Sequence, residues 1–143
     1  MAQYVTTIRT EMTAADAFAY MADFRNVAEW DPGVSSAIQT DGDGPEVGAS
    51  YEVKASGAEL TYVVLEYDAP TRIVLEAKNT LIRSYDIISV EERSGGCDVT
   101  YDATLDLNGP LAMGDIAFGV MFNKIGDKAA AGMVERLDGT KIR

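Results

Sequence analysis

Through the middle of the chain apolar and polar residues alternate with a period of two, the spacing of strands with one dry and one wet face. The pattern is clearest at 98–107, where Val99, Tyr101, Ala103, Leu105 and Leu107 point one way and Asp98, Thr100, Asp102, Thr104 and Asp106 the other. It recurs at 49–55, with Ala49, Tyr51, Val53 and Ala55 on one side, and at 72–79, with Ile73, Leu75 and Ala77. Residues 3–10, 34–40, 59–67 and 81–92 complete a set of seven predicted strands. Between them lie turn sequences such as Asp41-Gly42-Asp43-Gly44-Pro45, Ser56-Gly57 and Ser94-Gly95-Gly96.

Two stretches follow helical spacing instead. After the first strand, Thr13 can cap a short helix with Ala17, Phe18, Met21 and Ala22 on its apolar face. Asp23 can cap a second helix running to Trp30, which Asp31-Pro32-Gly33 stops. At the other end, 110–137 reads as one long helix. Pro110 suits its first turn, and Phe118, Phe122, Ile125, Ala129 and Met133 recur on one face. From 111 to 122 the only charge is Asp115, so apolar side chains point nearly all round, whereas later turns carry Lys124, Asp127, Lys128, Glu135 and Arg136. A helix apolar on every side must be covered on more than one.

The order β-αα-ββββββ-α with hairpin-length links predicts one α+β domain over 1–143: a curved, seven-stranded antiparallel sheet wrapped around the C-terminal helix, with the two short helices closing one end. A strongly curved sheet rarely meets a straight helix along its whole length. A cavity is therefore expected between them, lined by the surplus apolar surface of 111–122.

Composition narrows the function. The 143 residues carry 12 basic and 23 acidic side chains, a formal net charge of −11, which argues against nucleic acid and anionic lipid surfaces as partners. The absence of histidine removes most zinc, haem and triad chemistry. No cofactor or metal is expected, since 41–44 lacks the spaced ligands of a calcium loop. A single cysteine, Cys97, forbids an internal disulfide and points to a reducing, cytoplasmic setting. Its acidic neighbours argue against a nucleophilic role. No apolar stretch approaches the length of about 18 residues that a membrane span needs, so neither export nor membrane insertion is expected.

Several segments resemble a known superfamily. They are AADAFAYMADFRNVAEWDPGV at 14–34, the strand following Pro70-Thr71-Arg72, GGCDVTYDATLDLNGPL at 95–111 and IGDKAAAGM at 125–133. Together with the element order they resemble the START-like (SRPBCC) superfamily, and within it the bacterial polyketide cyclase/dehydrase and lipid-transport branch. The resemblance implies the helix-grip fold of birch-pollen allergen. It implies no single activity, because that fold hosts carriers, receptors and cyclases alike and has no universal catalytic motif. Aromatic-polyketide cyclases of this fold tend to line the cavity with arginine, tyrosine and often histidine, and the last is missing here.

Candidate site residues follow from strand register and from the helix face. If Glu92 pairs with Cys97 across the last hairpin, Asp86 falls opposite Ala103 on the inner face, where it can orient a ligand hydroxyl or carry a proton. A slip of one residue turns Arg83 and Tyr85 inward instead. Tyr51, Tyr62 and Tyr101 each place a phenol at the end of an apolar body, suited to core packing or to ligand hydroxyls and carbonyls. Trp30 is placed to plug the end of the sheet or to gate the cavity. Phe118, Met121 and Phe122 serve as core or as cavity lining, and Asn123 offers an amide if it turns inward. Three functions fit. The first is a carrier or sensor for an apolar or aromatic small molecule or lipid. The second is a cyclase or dehydratase with Asp86 and Tyr101 as its catalytic candidates. The third is an interaction module, including a homodimer, through the apolar half of the helix.

Overall fold

The computed structural model describes residues 1–55, 57–108 and 115–143, except for the side chains of 115–118. Strand β1 (Ala2–Thr10) leads into helix α1 (Ala14–Ala22), a 3-10 turn (Phe24–Asn26) and helix α2 (Val27–Trp30). Then come β2 (Val34–Asp41), β3 (Ser50–Ala55), β4 (Ala58–Asp68), β5 (Arg72–Lys78), β6 (Ile82–Arg93) and β7 (Gly96–Leu107). Helix α3 (Asp115–Leu137) and a short β8 (Thr140–Lys141) finish the chain. The strands form one curved antiparallel sheet in the order β2-β3-β4-β5-β6-β7-β1-β8. Irregular pairing in β2 (Val34/Ser36 and Gln39/Asp41) and between β4 and β5 (Val64/Glu66) marks bulges, the device by which a sheet bends.

Eight strands stand where the alternation predicts seven. The extra one pairs Lys141 with Ile8 and Thr140 with Arg9, and two residues are too few to display any periodicity. The long helix runs from 115 to 137 among the described residues; its expected start at Pro110 lies outside them. The short helices form as their caps dictate. Thr13 Oγ1 accepts the Asp16 amide at 3.1 Å, and Asp23 Oδ1 accepts the Arg25 amide at 3.2 Å. Ala17, Phe18, Met21 and Ala22 are all buried.

The last hairpin adopts the register that places Glu92 opposite Cys97 and Asp86 opposite Ala103. Arg83 and Tyr85 therefore share the outer face, where Arg83 pairs with Glu76 at 2.7 Å and stacks 4.9 Å above the Tyr85 ring.

Two glycines let α3 sit close. A Cβ on Gly126 would collide with the ring of Tyr4, and one on Gly132 with the backbone carbonyl of Trp30. Around them Ala129, Ala130, Met133 and Leu137 are buried where the helix packs against β1 and α2. The contact is tied by hydrogen bonds from Tyr4 Oη to Asp127 (2.8 Å) and from Thr10 Oγ1 to the Leu137 carbonyl (2.6 Å). The helix is thus clamped along its C-terminal half. Earlier in it, Val120 and Met121 are 59% and 54% exposed. Cover on all sides of 111–122 is therefore not what these two residues show, because the sheet reaches only one side of the helix. Among the described residues no helix is long and apolar enough to cross a membrane.

Candidate functional site

Where α3 parts from the sheet a cavity of about 360 Å³ opens. Its walls are mainly apolar: Val53 and Leu60 from one side of the sheet, Ile82 and Leu105 from the other, and Phe122 and Ile125 from the helix. Alternation puts those strand residues inward, and the wide hold of the sheet leaves them unfilled by the helix.

One polar cluster interrupts this wall. Asp86, 2% exposed, lies on β6 opposite the small Ala103 of β7. Tyr101, two residues before Ala103 on β7, donates its hydroxyl to Asp86 Oδ2 at 3.1 Å. Ser84, next inward on β6, donates to Asp86 Oδ1 at 3.5 Å. Tyr62 reaches from β4 across β5, where Ala77 pairs with Ser84, and its hydroxyl lies 2.7 Å from Ser84 Oγ. Asp31, from the turn after α2, also lines the cavity and accepts the Gly33 amide at 2.9 Å.

Burial governs the electrostatics. It pushes the Asp86 carboxyl up to about 7, against the Tyr101 and Ser84 hydrogen bonds and with help from the nearby Asp31 charge. It raises Asp31 too, against the Gly33 amide. The phenols of Tyr62 and Tyr101 are held well above their ordinary value by burial and by the charge of Asp86. No basic side chain is among the described residues that line the cavity. The cluster can accept hydrogen bonds from a bound molecule or exchange a proton with it near neutral pH.

Of the residues singled out by sequence, Tyr62, Asp86, Tyr101, Met121 and Phe122 line the cavity. Met121 does so from a half-exposed position that places it at the rim. Three others are elsewhere. Trp30 is fully buried behind the site, edge-on to Tyr101 with ring centres 5.1 Å apart, so it backs the wall instead of gating it. Tyr51 is also fully buried, packed edge-on against Phe24 at 6.1 Å. Neither the Trp30 indole N–H nor the Tyr51 hydroxyl has a hydrogen-bond partner among the described residues. Asn123 faces solvent, because the helix phase that turns Phe122 and Ile125 inward turns Asn123 and Lys124 out. The Phe118 side chain lies outside the described residues. Cys97 is buried away from the cavity, its thiol pushed up first by burial and then by Asp98.

Sequence reading missed Asp31, Ser84, Tyr4 and Phe24 as wall residues. Ser84 was legible, since it shares the inward face of β6 with Asp86. Asp31 carried no signal beyond a helix stop.

A curved antiparallel sheet holding a C-terminal helix, with an apolar cavity between them, defines a helix-grip, START-like domain. A family model described as polyketide cyclase / dehydrase and lipid transport matches residues 1–138, and the chain belongs to that family. Solved structures share the fold at low identity. The hypothetical protein jhp0584 from Helicobacter pylori superposes with a TM-score of 0.75 at 9% identity, covering 95% of this chain and 86% of that one. A Thermobifida fusca protein gives 0.63 at 24% identity over 96% of each chain. Ara h 8.0201 gives 0.59 at 13%, over 93% of this chain and 97% of its own. At these identities the likeness shows the fold alone. No curated protein matches the chain.

Proposed function

We propose that this protein binds an apolar or aromatic small molecule or lipid between the sheet and α3. The observation that carries this reading is the cavity of about 360 Å³, apolar on most sides and polar at one cluster. That combination is how small-molecule sites gain affinity from burial and orientation from a few polar groups, and the volume falls at the lower end of the usual range of about 300–1,000 Å³. Thermal unfolding in the presence of fatty acids, flavonoids, polyketides and arylalkyl amines tests it. A ligand at about 100 times its Kd stabilises by about 2.7 kcal/mol. The shift should vanish in Ala103→Leu, which fills the space beside Asp86. If no apolar class moves the melting temperature of the natural protein, the reading fails.

A second reading is supported by Asp86 itself. A buried carboxyl poised at about 7 and hydrogen-bonded to Tyr101 is suited to move a proton to or from a bound poly-β-keto or aromatic substrate, with the cavity fixing its conformation. Turnover of such a substrate that survives both Asp86→Asn and Tyr101→Phe removes this reading.

A further inference from the structure

The hydrogen-bond directions in the cavity wall restrict what can bind there. Among the described residues six polar side chains line the cavity: Tyr4, Asp31, Tyr62, Ser84, Asp86 and Tyr101. With Tyr62 donating to Ser84, the protons of all four hydroxyls are committed. Tyr101 donates to Asp86 Oδ2 and Ser84 to Asp86 Oδ1. In the 2.7 Å contact of Tyr62 with Ser84 either oxygen can be the donor; a serine hydroxyl has one proton, so when Ser84 donates to Asp86 the phenol donates to Ser84. Tyr4 donates to Asp127 on α3. Asp31 already accepts the Gly33 amide, and an ionised carboxylate can only accept. Once Asp86 and Asp31 are ionised, what the described side chains leave to a ligand in this arrangement is lone pairs, on two carboxylates and on hydroxyl oxygens.

The charges agree with the hydrogen bonds. No lysine or arginine is among the described lining residues, so neither carboxylate has a cation beside it inside the cavity. The rings of Phe24, Tyr62 and Tyr101 line the same space, and aromatic rings attract cations to their faces. The net charge of −11 favours the approach of cations at longer range. A ligand carboxylate would have to be desolvated against two acids, with no lysine or arginine among the described lining residues to receive it.

Resting on the binding reading above, we infer that the cavity selects ligands with a protonated amine at the end of an apolar or aromatic body, and discriminates against carboxylates such as fatty acids. The ammonium supplies three donors to the remaining lone pairs of Asp86 and Asp31 and compensates their charge. The raised titration of Asp86 is that of a buried acid without a cation, the role the amine fills.

A matched set of probes decides the matter: 4-phenylbutylamine, 4-phenylbutanol and 4-phenylbutanoate, with affinities measured by calorimetry at pH 8. The amine is expected to bind at least tenfold tighter than the carboxylate, with the alcohol between them. In Asp86→Asn, or in Asp31→Asn if the first variant does not fold, the amine-to-carboxylate ratio is expected to shrink by at least tenfold. Equal or tighter binding of the carboxylate to the natural protein overturns the inference, as does a ratio unmoved in either folded variant. If none of the three binds while larger apolar compounds raise the melting temperature, the inference falls and the binding reading stands. If no apolar compound of any class binds, the binding reading falls with it.

Discussion

Tyr101 donates a 3.1 Å hydrogen bond to Asp86 from the diagonal position on the neighbouring strand, over the small side chain of Ala103. The pair joins an acid that burial would keep neutral to a phenol that burial would keep protonated, and each shapes how the other titrates. Most of the consequences that can be measured in this protein start from that contact.

Asp86 should make the protein less stable as pH rises through the acid range. Its carboxyl titrates at about 7 in the fold against an ordinary 3.8. Below the lower value both folded and unfolded states hold the proton, and the group contributes nothing. Between the two values the unfolded chain releases its proton while the native state keeps it, so stability falls, and it levels off above about 7. The shift corresponds to a loss of up to about 4 kcal/mol. The groups that bear on Asp86 are Asp31, Tyr62, Ser84, Tyr101 and Asp102. Urea unfolding of the natural protein and of Asp86→Asn across pH 4–8 should show this component in the first and not in the second. Identical pH profiles would mean that Asp86 titrates as an ordinary surface acid.

Removing the donor should push Asp86 higher. In Tyr101→Phe the carboxylate loses a hydrogen bond to its charged form. The cost is about 1.5–3 kcal/mol at pH 8, where Asp86 is ionised, and less at pH 5, where it is neutral. Carbon-detected NMR titration of the Asp86 carboxyl reads the upward displacement directly. A titration point unmoved by the substitution would show that the hydrogen bond does not favour the ionised acid.

The opposite displacement is expected from Asp31→Asn. Its charge is one of the influences that raise Asp86, so neutralising it should lower the Asp86 titration point in the same NMR experiment. An unchanged value would mean that the cavity screens the two acids from one another.

Two glycines of α3 should respond to alanine with opposite signs. At Gly119 an added Cβ meets nothing within 4 Å, so the better helix propensity of alanine should stabilise by up to about 1 kcal/mol. At Gly126 the same methyl runs into the Tyr4 ring and must move the helix or the tyrosine, at a cost of about 1–3 kcal/mol that outweighs the propensity gain. Melting temperatures of the two variants side by side provide the check. Stabilisation by Gly126→Ala would show that the helix is not held against β1 at that point.

Much of this architecture was legible beforehand because most strands have one wet face. Along β7, Val99, Tyr101 and Ala103 are buried while Thr100, Asp102 and Thr104 are partly exposed, as alternation requires. The Gly95-Gly96 turn left two registers open for the last hairpin, and the structure adopts the one that pairs Glu92 with Cys97 and turns Asp86 inward. Periodicity is silent on depth, however. Tyr51 and Tyr62 occupy paired positions on β3 and β4 and both point inward. Only Tyr62 reaches the cavity, because Tyr51 is enclosed against Phe24. Asn123 was undecidable for a related reason: a helix apolar nearly all round does not announce which side will meet the sheet.

The chain's own pattern determined seven of the strands and the helices, their order, the antiparallel pairing and the inner face of most strands, since these rest on local spacing and short links. Tertiary structure alone decided that Asp31, from a turn distant in sequence, joins Asp86 at one cavity, that Trp30 stands behind Tyr101, and that β8 completes the sheet. Such outcomes depend on how far α3 can approach β1 and α2. That distance is set by contacts such as Gly126 on Tyr4 and Gly132 on Trp30, between residues too far apart in sequence for any local pattern to couple them.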